Sequence, residues 1–155
     1  MSLEKFDLLN SQLKEITKEL AYHIVGDPLI LSNLEEYLNI SLKHALKVNI
    51  TTTANNLNKS HYLALSNEAV KQINFSINSY NGNSHKKSLD DYLNPIFDFC
   101  KYAIENELDL FINLRVWNFD EAKSAKEFNK AVFAKAKEYF DIDLDIEKFY
   151  VAKPK

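Results

Sequence analysis

One cysteine, Cys100, serves the whole 155-residue chain. A lone thiol excludes an internal disulfide and any multi-cysteine metal site built from this chain alone. It also makes a reducing, cytoplasmic setting the expectation. Glycine is nearly as scarce: only Gly26 and Gly82 occur, which excludes the glycine-rich loops that cradle phosphates. No apolar run approaches the roughly 18 residues of a membrane-spanning helix, so no membrane partner is expected. No basic segment followed by an apolar stretch opens the chain as a secretion signal would. The net charge of −3 carries no basic footprint for nucleic acid.

What is present has a rhythm. Phe6, Leu9, Leu13, Ile16 and Leu20 recur at helical spacing and predict an amphipathic helix over 3–20. A buried strand is expected at 21–25. Ser32 and Glu35 form a capping-box pattern ahead of the stripe Leu34, Tyr37, Leu38, Leu42 and Ala45. Strands are predicted near 48–54, 72–78 and 110–116, with a short one at 149–151. Asn58 and Ser88 read as helix caps. Pro95 predicts a break, with Asn94 capping a second helix that buries Ile96, Phe97, Cys100, Ala103 and Ile104. Ala125, Phe128, Val132, Ala136 and Tyr139 mark a last helix. Strand and helix thus alternate along one expected domain, 1–155, which predicts βαβ units and a parallel sheet.

Three of these strands alternate instead of running apolar throughout. Asn49, Thr51 and Thr53 interleave the second, Asn74, Ser76 and Asn78 the third, and Asn113, Arg115 and Trp117 the fourth. A parallel sheet covered by helices on both faces has continuous apolar strands. A polar second face therefore predicts a partial TIM-like (β/α) barrel of parallel strands, with that face lining a lumen for a polar ligand. An open α+β sheet with a solvated face is the other reading.

Val25-Gly26-Asp27-Pro28-Leu29 ends the first expected strand. Gly26 permits a turn or a close approach to a ligand, and Asp27 places a carboxylate where α/β folds bind ligands. Pro28 then stops the strand. Gly26-Asp27-Pro28-Leu29 resembles the Gly-Gly-Glu-Pro-Leu element of radical SAM enzymes. Thr51-Thr52-Thr53-Ala54-Asn55 is similar to the Thr-Thr-Asn-Gly at the end of their next strand. Ile73-Asn74-Phe75-Ser76-Ile77-Asn78-Ser79 resembles the strand after that, and the three occur in the family's order over residues 21–116.

The resemblance implies a partial (β/α)6 barrel that binds a [4Fe-4S] cluster and S-adenosylmethionine. In that family the cofactor is cleaved reductively to a 5′-deoxyadenosyl radical. It implies that Gly26 and Asp27 face the methionine ammonium, and that Ser76 and Asn78 lie near the ribose or carboxylate. Arg115 would meet the methionine carboxylate, and Thr53 and Asn55 would line the same cavity. Such recognition is chemically apt, because a guanidinium matches a carboxylate and hydroxyls and amides match a ribose.

Two departures stand out. Val25 replaces the first family glycine and Asp27 the glutamate, and the Cys-x3-Cys-x2-Cys cluster segment is missing. The expectation is a core truncated at its first strand, inactive by itself, whose intact parent would hold the cluster and act on an unknown substrate. An exposed edge at 21–25 would then favour self-association, or an N-terminal segment folded over it. The alternative is a non-catalytic α/β module that binds another small ligand or a partner. His23 reads as a core histidine, while His44, His61 and His85 read as surface residues.

Overall fold

A computed structural model describes residues 1–23, 26–80, 87–116 and 123–144. The chain divides into two compact units, Met1–Arg115 and Val116–Lys155, each taken by itself. The first holds helices α1 (Leu3–Leu13), α2 (Leu34–Lys43), α3 (Tyr62–Leu65) and α4 (Leu89–Glu105). Its strands are β1 (Glu19–Tyr22), β2 (Lys47–Thr52), β3 (Val70–Phe75) and β4 (Phe111–Leu114). The second holds α5 (Lys123–Phe140). Ile24 and Val25, residues 81–86, Trp117 and the expected strand at 149–151 lie outside the described residues.

The four strands form one parallel sheet in the order β1-β2-β3-β4. Each connection is a helical crossover, and such crossovers are right-handed as a rule, which stacks α2, α3 and α4 on one face. Val48, Ile50, Ile73 and Phe75 point under those helices and are fully buried. The opposite face carries Asn49, Thr51, Gln72, Asn74 and Asn113. Among the described residues the sheet has two ends, at β1 and β4, and no barrel closure is seen.

The first helix differs from its predicted span. It stops at Leu13, and Leu20 belongs to β1. Thr17 makes the change of direction: its hydroxyl donates to the Glu19 carbonyl at 3.0 Å and accepts the Glu19 N–H at 3.2 Å. Ile16, expected in the core, is 81% exposed. The fully buried residue of α1 is polar. Asn10 donates to the Phe6 carbonyl at 2.7 Å and accepts from Ser41 Oγ at 3.0 Å, and Ser41 meets the Tyr22 hydroxyl at 2.9 Å. This chain of polar contacts ties α1, β1 and α2 together, and burial pushes the Tyr22 hydroxyl up to about 12.

Two further boundaries shift for reasons of packing. α2 begins at Leu34 with Asn33 as its cap and no side-chain capping bond, so the Ser32–Glu35 box does not form. Burial of Leu34, Leu38 and Ser41 sets that register instead. Pro95 does not break α4. An interior proline costs about 3 kcal/mol, but the helix buries Tyr92, Leu93, Ile96, Phe97, Phe99, Cys100 and Ala103 along one stripe, which outweighs that cost. Ser88 caps it as expected, accepting the Asp91 N–H at 3.0 Å.

Both α2 and α4 end in the same way. The Leu46 N–H reaches the Ser41 carbonyl and the Ala45 N–H the Leu42 carbonyl; Leu108 and Glu107 repeat this with Ala103 and Ile104. These are Schellman ends, which place one residue in the left-handed region. Here Ala45 (φ 56°) and Glu107 (φ 51°) hold that position without glycine.

Candidate functional site

The sequential strand order sets the carboxyl ends of β1 to β4 side by side along one edge. At the β1 end, Gly26 takes φ +136°, which only glycine adopts freely, and the space around it is open. Its role here is the turn. Asp27 follows and caps the short 3-10 turn Pro28–Ile30, accepting the Leu29 N–H at 3.1 Å.

The same carboxylate reaches across to the end of β2. It accepts Thr52 Oγ1 at 2.7 and 2.9 Å, the Thr53 N–H at 2.8 Å and Thr53 Oγ1 at 2.8 Å. Two backbone amides and two hydroxyls therefore fill its acceptor positions. Thr52 in turn accepts the Ala54 N–H at 2.9 Å, holding Ala54 at φ +60°. Asp27 is a clamp between two strand ends. An ammonium group would have to displace one of these donors.

Ser76 and Asn78 were expected within the third strand, but β3 stops at Phe75. Ser76 sits at the head of the 3-10 turn Ile77–Ser79, and its N–H bonds the Thr52 carbonyl at 2.8 Å. The Asn78 N–H meets the Arg115 carbonyl at 3.1 Å, and the Arg115 N–H meets the Phe75 carbonyl at 2.9 Å. Asp27, Thr53 and Ser76 thus gather around the end of β2, while Asn78 and Arg115 adjoin at the ends of β3 and β4. Arg115 is the only arginine of the chain, is exposed, and forms no ion pair with a described residue.

Asn55 stands slightly apart. Its carbonyl accepts Lys87 Nζ at 2.7 Å, and the Tyr92 hydroxyl donates to the Thr53 carbonyl at 2.7 Å. Thr52, Lys87 and Tyr92 are the rim residues that sequence reasoning misses. Strand alternation puts Thr52 under the helices, and nothing local tells which carbonyl Tyr92 or Lys87 will meet.

One layer below the rim, three strands bring a hydroxyl and two amides into register: Thr51 pairs with Asn74, and Asn74 with Asn113. Asn74 Nδ2 donates to the Ile50 carbonyl at 3.2 Å and to Thr51 Oγ1 at 3.3 Å. Its Oδ1 accepts from Gln72 Nε2 at 2.8 Å and Asn113 Nδ2 at 3.0 Å. At the amino ends of the strands, Glu19 pairs with Lys71 and accepts Asn49 Nδ2 at 3.0 Å. Lys71 and Asn49 hold the Glu19 carboxyl below the usual range.

The histidines depart from expectation. His23 is exposed, since the strand ends before it. His44 donates to Asp7 at 2.5 Å beside Lys43, a pairing that holds Asp7 below its usual value, led by the Lys43 contact. His61 Nε2 donates to the Leu29 carbonyl at 3.0 Å, bracing the turn that Asp27 caps. On the helix-bearing side of β1 a cleft of about 330 Å³ opens, lined by Met1, Phe6, Tyr22, Pro28, Ile30, Leu31 and Tyr37 together with His23, Gly26 and Asp27.

A [4Fe-4S] cluster does not fit these residues. Cys100 lies buried on α4 and burial pushes its thiol up to about 12, the reverse of what a thiolate ligand needs. Among the described residues no three His, Cys, Asp or Glu side chains gather to hold a metal ion. No described helix is long and apolar enough to cross a membrane.

These features define an α/β protein with a four-stranded parallel sheet and polar groups collected at the carboxyl ends of its strands. No protein-family model, curated protein or solved structure matches this chain.

Proposed function

We propose that this chain is the body of a partial (β/α) barrel resembling radical SAM enzymes, one that binds S-adenosylmethionine at the rim and performs no chemistry by itself. The observation that supports this reading is the sequential order of four parallel strands, which lines up Thr53, Ser76 and Arg115 on neighbouring strand ends. Ligands of parallel α/β sheets bind at that end. Arg115 takes the methionine carboxylate, and Thr53, Asn55, Ser76 and Asn78 offer hydroxyls and amides to the ribose. Gly26 and Asp27 shape the wall beside them. Iron–sulfur chemistry would need cluster cysteines that these 155 residues do not carry.

The saturated carboxylate of Asp27 favours a second reading, a non-catalytic module for a different small ligand. Isothermal titration separates the two. S-adenosylmethionine is expected to bind and ATP to give no heat, with Arg115→Ala weakening binding by about tenfold or more, the worth of a charge-assisted hydrogen bond. Absence of heat with S-adenosylmethionine overturns the first reading.

The β1 edge also forms part of the proposal. Unpaired strand edges recruit other strands, so self-association through Glu19–Tyr22 is expected in light scattering. A concentration-independent monomer counts against it.

A further inference from the structure

We infer that the amide ladder across the polar face of the sheet is a recognition surface for a neutral, hydroxyl-rich small molecule, a sugar or a sugar-bearing ligand. The ladder is Gln72–Asn74–Asn113 with Thr51 beside it. This does not rest on the S-adenosylmethionine reading, because it concerns a different layer of side chains and holds whether or not the rim binds anything.

The residue choice is the first ground. Asparagine is depleted in β-strands, yet Asn49, Asn74 and Asn113 sit on three neighbouring strands of a single face. A face that merely meets water carries Lys and Glu, as β1 and β3 do at their amino ends with Glu19 and Lys71. The middle of this face has no charge at all. Asn74 is only 3% exposed, so its amide is embedded, not solvated.

The orientation of the ladder is the second ground, and one atom decides it. The Ile50 carbonyl can only accept, so the group of Asn74 that faces it is the NH2. Asn74 Oδ1 must then face Gln72 and Asn113, and both of those present their NH2 groups to it. The carbonyl oxygens of Gln72 and Asn113 are consequently turned away from the ladder. Thr51 Oγ1 accepts from Asn74, which leaves its proton free to donate. Asn49 Oδ1 is enclosed and has no hydrogen-bond partner.

The surface therefore offers two carbonyl acceptors, of Gln72 and Asn113, and one hydroxyl donor, held rigidly by a network that is already satisfied behind them. Adjacent strands stand about 4.8 Å apart, a spacing that the hydroxyls of one furanose or pyranose ring span. An anion is disfavoured, because carbonyl oxygens cannot replace its hydration. A cation is disfavoured by the Arg115 guanidinium at the carboxyl end of the face, while Lys71 at the other end is already paired with Glu19. A neutral ligand rich in O–H donors meets the pattern.

The test uses the whole chain, 15N-labelled, with side-chain amide signals followed by NMR. Titration with D-glucose and D-ribose is expected to shift the Gln72 and Asn113 NH2 signals saturably, and D-glucuronate to shift them at least fivefold less at equal concentration. Asn113→Ala, at a half-exposed position on the edge strand, is expected to weaken the neutral-sugar response at least fivefold. Prior addition of S-adenosylmethionine is expected to leave it unchanged, which separates this site from the rim. Gln72→Ala repeats the test should the Asn113 variant fold poorly. No saturable shift with either neutral sugar, or an equal response in the variant, overturns the assignment.

Discussion

Asp27→Asn is expected to destabilise the protein by about 2–4 kcal/mol, a large part of the stability of a domain this size. The carboxylate accepts from Leu29, Thr52 and Thr53 through two backbone amides and two hydroxyls. Asparagine keeps one acceptor oxygen and sets an NH2 group against a backbone N–H that cannot receive it, although the threonine hydroxyls can turn to accept. At least one backbone amide is then left without a partner at the junction of β1 and β2. The measurement is urea denaturation of both proteins, read as a shift in midpoint at unchanged slope. Thr53→Val, which removes a single hydroxyl donor, is expected to cost about 1 kcal/mol by the same scale. A change below about 0.5 kcal/mol for Asp27→Asn, the range of ordinary surface substitutions, sinks the clamp and returns Asp27 to a purely ligand-facing role.

The other large effect lies beneath the sheet. Phe75→Ala is expected to cost about 3–5 kcal/mol, combining lost transfer free energy with the cavity left behind. Phe75 is fully buried at the end of β3, pairs in register with Thr52 and Leu114, and meets Phe99 of α4 edge to face at 6.1 Å. Removing it separates the central strands from their longest helix. The matched control is Phe111→Ala, on β4 and 47% exposed, where a cost below about 1 kcal/mol is expected. Thermal and urea unfolding of the pair read the difference. Equal losses would mean that the helix-covered and polar faces of the sheet have been assigned the wrong way round.

Much of this architecture is written in local pattern. Alternation at Val48–Thr52 and Ile73–Phe75 announces strands with two unlike faces, and the helical spacing of Ile96, Phe97, Cys100 and Ala103 announces α4. Strand ends are another matter. β3 stops at Phe75 because the chain turns at Ser76, and no residue type there forbids one more extended step. Pro95 misleads in the opposite sense, since its local cost is outweighed by a buried stripe that only the folded chain assembles. Asn10 is the clearest case. A polar residue on an amphipathic helix reads as solvent-facing, and its burial depends on Ser41, 31 positions away. At the rim, Asp27 is visible from its place before Pro28, but its partners Thr52 and Thr53 become evident only when β2 lies beside it.

Glycine scarcity, met first as an argument against phosphate loops, also has a thermal meaning. Ala45 and Glu107 occupy helix-terminal positions where a side chain is pressed toward the following carbonyl, a strain of about 1–2 kcal/mol per residue. Ordinary side chains hold these bends because the surrounding hydrogen bonds insist on them. The fold therefore tolerates more heat than this sequence lets it show, and the headroom sits in two bends remote from the carboxyl edge of the sheet.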